Sequence, residues 1–284
     1  MRKLIFLFFL VLTWNSLFAY QWPIAGGFLT ASFGENSLNS FLKGIRISGY
    51  GSVVSPFLEG ELIYYSDESD QLTSVMGNTR VLHHKNGFRS IYGHLESFYG
   101  EPDKFQLSEN DQLGIVGNSG RAYEKSLFLI IYDTKMNQYV NPQMVLPPSG
   151  DMNPPVISHV YVLSNDERTE LKEVNNLSSG KVKILADITD YGGSSHNTIE
   201  TVPYSISMFY LGNEINLIKY DTLKEERGEL ILQGGRPVSF KNLYDDEAFL
   251  LGEIYLSPGV AFLEISASDY YGNSSNRTIQ LTIE

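Results

Sequence analysis

Beyond residue 155 the chain alternates apolar and polar residues with a period of two. Val182, Ile184, Ala186 and Ile188 form one such series; Tyr204, Ile206, Met208 and Tyr210 form another, followed by Leu263, Ile265 and Ala267, then Ile279, Leu281 and Ile283. Successive strand side chains point to opposite faces, so each series predicts a strand with one buried side. Stretches 157–163, 214–220 and 249–256 bring the total to about seven strands, which fits a two-sheet sandwich. The first half is less regular. Residues 61–65, 80–84, 88–92 and 127–132 are rich in β-branched and aromatic side chains, with Gly, Asn and Asp between them. Lys85, Asn86 and Gly87 join two of these stretches as a hairpin signal. No long amphipathic helix is predicted, and the expected class is all-β.

Four prolines in the nine residues 147–155 break the chain, because proline neither continues a helix nor donates to a central strand. They make a semi-rigid connection. The expected division is therefore 1–19, 20–146, a linker at 147–155, and 156–284. The first nineteen residues read as an export signal. Arg2 and Lys3 precede an apolar run from Leu4 to Leu12, and Ser16 to Ala19 offers a cleavage site. Nine apolar residues are too few to span a bilayer, which needs about twenty. No membrane span is expected after cleavage, and the expected location is the periplasm or cell envelope.

There are no cysteines, so disulfides and thiolate metal sites are excluded. The chain has 33 acidic and 21 basic side chains. Such a surface repels nucleic acid and anionic lipid, and neither is expected as a partner.

The most informative stretch runs from Gly114 to Asp133. A turn-rich part, with Gly114, Gly117, Ser119 and Gly120, leads into an apolar strand. It lacks the Gly-Lys-Ser/Thr of a phosphate loop, and Ser119 is not in a nucleophile elbow. It resembles the G-x-x-G-x-S/T-G segment of the lysostaphin/LytM-like zinc endopeptidases, which cut the peptide bridges of bacterial cell walls. Further matches are Trp22-Pro-Ile, Ser32-Phe-Gly34, His84, Asn86, Gly87, Tyr92, His94, Leu95 and Asn141-Pro142. The resemblance covers about residues 22–146, in the family's order. It implies a LytM-like β-sheet domain of the duplicated-hybrid-motif type. The ending Ala267-Ser-Asp-Tyr-Tyr-Gly-Asn273 resembles the A-x-D-x-x-G-N turn of bacterial immunoglobulin-like modules, implying an Ig-like sandwich for the second part.

The resemblance also identifies what is missing. The family's zinc is held by H-x-x-x-D and by the second histidine of H-x-H, at positions that here carry Leu42, Arg46 and Phe128. Its proton-handling histidines fall on Ser126 and His94, so only His94 persists. Leu and Phe offer no lone pair and Arg stays protonated, so zinc, expected of the family, is predicted absent. A fixed cation about 4 Å from a dication would cost on the order of 8 kcal/mol at an effective dielectric near 20.

The expected groove comprises Leu42, Arg46, Tyr92, His94, Ser126 and Phe128. The expected function is that of a catalytically inactive envelope protein that binds peptidoglycan or regulates a cell-wall hydrolase. One alternative is an active metalloendopeptidase with a relocated site on His94, His84 and Glu124. Another is an adhesive or structural protein acting through its Ig-like part. His83 and His84 are strand neighbours and point apart. His159 and His196 have no motif around them. Asp190 and Asp269 could ligate calcium, although turn chemistry accounts for both.

Overall fold

The computed structural model describes residues 20–49, 51–67, 74–96, 104–122, 124–148, 151–172, 174–194 and 197–284. The expected export segment 1–19, His196 and two residues of the proline-rich linker lie outside them. The protein is almost wholly β-structure. Among the described residues the only helical pieces are a 3-10 turn at Pro142–Met144 and the four-residue helix Phe240–Leu243.

The first half is built on one antiparallel sheet. Its middle strand, Ser126–Asp133, pairs on one side with Phe88–Leu95, after which come Asn78–His83, Gly60–Ser66 and Gln106–Leu107. On its other side the same strand pairs first with Ile45–Ser48 and then with Gln138–Val140. Phe28–Ala31 lies beyond Ile45–Ser48. The hairpin signal at Asn86-Gly87 is realised. Gly87 sits at φ +95° between the paired strands, and the Asn86 side chain accepts a hydrogen bond from the Phe88 amide. Alternation sets the faces: Leu127, Leu129 and Ile131 are fully buried with Ile45 and Ile47, while Arg46 and Phe128 are half-buried on the opposite side.

The second half is a two-sheet sandwich. One sheet runs Glu167–Glu170, Val156–Ser164, Gly180–Ser194, Ala248–Leu256 and Tyr244–Asp245; the other runs Val174–Leu177, Ser274–Ile283, Gly259–Ser268, Ser205–Tyr210 and Asn213–Lys219. The four alternating series and the three further stretches expected in this half all fall on strands, with Tyr204 and Tyr220 just outside theirs. Ile184, Ala186, Ile206, Met208, Leu263, Ile265 and Leu281 fill the space between the sheets.

The boundary at the prolines is bridged elsewhere along the chain. Thr222–Glu226 and Glu229–Gln233 leave the sandwich as a hairpin and extend the first sheet, with Tyr139 opposite Leu223 and Val140 opposite Thr222. Leu223 and Leu232 are buried there, so the apolar core runs on from one half into the other. Polar contacts reinforce the seam. The Asn141 side-chain amide donates to the Tyr220 carbonyl at 2.8 Å, and the Val202 amide donates to Ser32 Oγ at 3.1 Å. Gly34, at φ +80°, lets the Tyr220 ring approach so closely that a Cβ there would lie 2.4 Å from it. The Ser-Phe-Gly motif of the first half is thus the pad on which the second half rests.

Candidate functional site

Three strands bring Arg46, Phe128 and His94 of the expected groove together. Phe128 lies directly opposite Arg46 on one neighbour and Gly93 on the other. The Arg46 guanidinium carbon is 6.0 Å from the centre of the Phe128 ring, and the His94 ring stacks on that ring at 6.0 Å with an interplanar angle of 18°. Phe128 therefore stands between a cation and an imidazole.

His94 reaches this face because of a break in its strand. Simple alternation would put Tyr92 and His94 on the same side. The pairing with Asn78–His83 shifts register opposite residues 92–95, and His94 adopts φ 63°. A bulge of this kind re-aims a side chain. Tyr92 consequently points into the core, fully buried, and its hydroxyl oxygen accepts the Phe57 amide at 2.9 Å. Tyr92 is a core residue in this structure and contributes nothing to the groove.

The glycine-rich stretch explains how the bulge is held. The Gly117 amide donates to the His94 carbonyl at 3.1 Å, and the His94 amide donates to the Met76 carbonyl at 2.8 Å. His94 Nδ1 lies 2.9 Å from the Ser119 carbonyl oxygen. A carbonyl can only accept, so Nδ1 carries the proton and Nε2 the lone pair in the neutral ring. Ser119 Oγ accepts the Asn78 amide at 2.8 Å. Gly117 and Gly77 are needed because a Cβ on either would come within 2.4 Å of a neighbouring atom. Burial lowers the His94 pKa below its ordinary value; Arg46 acts in the same direction, against the Ser119 carbonyl. His94 is thus a neutral imidazole at physiological pH.

Ser126 follows on the same face. It is 1% exposed, and its Oγ has no hydrogen-bond partner among the described residues. Leu42 is buried, with its carbonyl accepting the Gly34 amide at 2.8 Å. Glu35 was not legible as a site residue in the sequence. Its Oε2 accepts the Ser32 amide at 2.8 Å, and burial raises its pKa to about 7, with Glu124 adding to the rise and Arg46 opposing it. Glu124 accepts a hydrogen bond from Thr30 Oγ1 at 2.6 Å.

These residues do not fit zinc. The positions implied by the resemblance present two hydrocarbon side chains and a guanidinium, so the Nε2 lone pair of His94 is the one imidazole donor among the six expected groove residues, where a zinc site needs about three ligands. Nor does a relocated site assemble from the other histidines. His84 is fully buried, bonded through Nδ1 to the Glu59 carbonyl and through Nε2 to Ser90 Oγ, and its ring packs edge-on to Phe57. Ser90 is four residues from His94, about 13 Å along a strand. His159 is exposed, paired with Glu170 at 3.0 Å and stacked on Tyr161.

One set of three candidate metal ligands occurs among the described residues. Oxygen atoms of Asp151, Asp190 and Asp269 lie within 4.8 Å of one another. Burial raises the Asp190 pKa to about 7, and the charges of Asp269 and Asp151 add to the rise. Asp269 serves its turn, accepting the amides of Tyr271 and Asn273 through one oxygen and the Asn273 side chain through the other.

A protein-family model matches residues 154–284, the span of the sandwich. No curated protein matches the sequence. The structure is similar at low identity to several solved ones. One is the SpoIIQ–SpoIIIAH pore forming complex, at 16% identity and a TM-score of 0.37, covering 45% of this chain and 90% of that chain. Another is the catalytic domain of the prophage-encoded protein EnpA from Enterococcus faecalis, at 17% and 0.37, covering 47% and 98%. A third is the antimicrobial peptidase lysostaphin from Staphylococcus simulans, at 12% and 0.35, covering 84% and 96%. No helix among the described residues is long and apolar enough to cross a membrane.

Proposed function

We propose that this chain is an exported, catalytically inactive relative of the LytM-like endopeptidases, with an Ig-like second domain, which binds peptidoglycan or a cell-wall hydrolase through the old groove. The observation that carries the reading is the arrangement of Arg46, Phe128 and His94. The strands that carry residues 46 and 128, aligned by the resemblance with the family's ligand positions, pair side by side and present a cation and a ring. A site of this composition binds rather than hydrolyses: Phe128 supplies an apolar surface, Arg46 a fixed positive charge, and His94 a neutral acceptor nitrogen. The matches at Ser32, Gly34, Gly117, Ser119 and Asn141 support a shared scaffold, since these residues also make the structural contacts described above, and Trp22 Nε1 donates to the Pro147 carbonyl at 2.8 Å.

The test is metal analysis of the purified mature chain combined with sedimentation on isolated peptidoglycan. The expected result is binding without stoichiometric zinc and without release of wall peptides. Hydrolysis that a chelator abolishes would overturn the proposal. So would wall binding that survives Phe128→Ala with Arg46→Gln, because the groove would then not be the surface in use.

A further inference from the structure

Glu35 joins the groove to the seam between the halves. Its backbone carbonyl accepts the Leu42 amide at 3.0 Å, and its Oε2 accepts from the Ser32 amide at 2.8 Å and from Ser32 Oγ at 3.3 Å. Ser32 Oγ in turn accepts the Val202 amide of the second half at 3.1 Å. No hydrogen bond reaches Oε1 among the described residues. The phenols of Tyr220 and Tyr244 feel the Glu35 charge, but their protons are committed elsewhere. Tyr244 donates to the Gly34 carbonyl at 3.3 Å, so the 2.9 Å bond between the two hydroxyls uses the Tyr220 proton.

An ionised Glu35 is therefore served by Ser32 alone as a donor, and among the described residues one cation, Arg46, balances its charge. Glu124, whose carboxylate accepts Thr30 Oγ1, adds a negative charge that opposes ionisation. Arg46 also serves the groove. Its guanidinium faces the Phe128 ring and, after burial, helps to hold the His94 pKa down. One cation thus answers two claims: the carboxyl group of Glu35 behind it, and any anionic group that a ligand brings to the front.

We propose that Glu35 is a proton switch for the groove: its protonation releases Arg46 to an anionic ligand, and its ionisation draws that charge away. This rests on the groove reading above and adds its regulation by pH. Linkage makes the effect reciprocal, since a proton that tightens the ligand is itself held more tightly once the ligand is bound. The working range follows from the groups that face Glu35. Burial, the largest influence, raises its pKa to about 7, so the carboxyl group changes charge on either side of neutrality. Tyr220 and Tyr244, raised by burial, stay uncharged throughout. His94, on the far side of the Phe128 ring, has its pKa lowered by burial below the ordinary 6.5, so its own charge appears only at more acid pH. An anionic ligand therefore binds more tightly as pH falls from about 8.5 to about 6.5, and Glu35 is the group responsible.

The experiment has two arms on the mature chain. In the first, the glutamate carboxyl carbons are followed by NMR across the pH range, Glu35 being the resonance missing from Glu35→Gln. Its midpoint should lie near 7, and Arg46→Gln should move it upward. A midpoint near the ordinary 4.5, or one that Arg46→Gln leaves in place, would overturn the proposal whether or not the groove binds the wall. In the second, sedimentation on isolated peptidoglycan, which carries free carboxylates, is measured at about pH 6.5 and about pH 8.5 at one ionic strength. The parent should bind roughly fivefold or more tightly at the lower pH, and Glu35→Gln should bind equally at both. Equal binding by the parent, tighter binding at the higher pH, or a dependence that survives in Glu35→Gln would overturn the switch while leaving the groove reading intact. Absence of sedimentation at both values would overturn the groove reading, and with it the switch that serves it.

Discussion

Glu35→Gln is expected to stabilise the protein above neutral pH and to leave it nearly unchanged near pH 4. In the native state burial raises the Glu35 pKa from 4.5 to about 7, against hydrogen bonds from Ser32 and the charge of Arg46. A folded-state pKa above the unfolded one means that the native state binds the proton more tightly. The associated stability is complete below pH 4.5 and is lost as pH rises through 7. One pKa unit corresponds to about 1.4 kcal/mol, so the rise is worth about 3 kcal/mol at most. Residual solvent contact reduces this to about 1–2 kcal/mol. Glutamine mimics the protonated acid, since its carbonyl oxygen can still accept from the Ser32 amide now 2.8 Å from Oε2. The assay is urea unfolding of both proteins from about pH 4 to about pH 8.5. The informative quantity is the difference between the two curves. His84 and His94, whose pKa values are lowered by burial, make both proteins less stable as pH falls and cancel in that difference. A variant no more stable than the parent at about pH 8.5 would refute the reasoning: the buried carboxylate would then ionise without cost.

Three further outcomes are expected. Tyr92→Phe leaves the buried Phe57 amide without its acceptor and should cost about 1–3 kcal/mol in denaturant unfolding, while wall binding is unchanged because Tyr92 faces the core. Gly34→Ala combines φ +80° with a Cβ 2.4 Å from the Tyr220 ring, so it should destabilise by about 1–3 kcal/mol or more and broaden the transition as the halves uncouple. Equilibration with zinc followed by dialysis should leave the melting temperature unchanged, since a metal bound to the native state would raise it; a chelator-reversible increase would contradict the proposal that the groove holds no zinc.

The alternating stretches were decisive in the sequence because a strand buried on one side must place an apolar residue at every second position, and nothing distant alters that requirement. For this reason seven of the strands of the sandwich could be read without coordinates, and the hairpin at Asn86-Gly87 followed from its turn residues. Other features depended on which segments meet. Alternation assigned Tyr92 and His94 to one face; a bulge held by Gly117, Ser119 and Met76, all remote in sequence from the bulge or on another strand, sent them to opposite faces. Glu35 is an ordinary exposed-type residue in the sequence, and becomes a strained acid only because the second half closes over Gly34 with Tyr220 and Tyr244. The hairpin at 222–233 reads as any polar β-turn-β stretch. Its partner, Gln138–Val140, lies more than eighty residues earlier, and strand pairing over that distance is selected by the packing of Leu223 and Leu232 rather than by any local signal. Local periodicity fixed the elements; long-range contact fixed which side chains share a face, how the halves join and where charge is buried, because those depend on neighbours that the linear order does not specify.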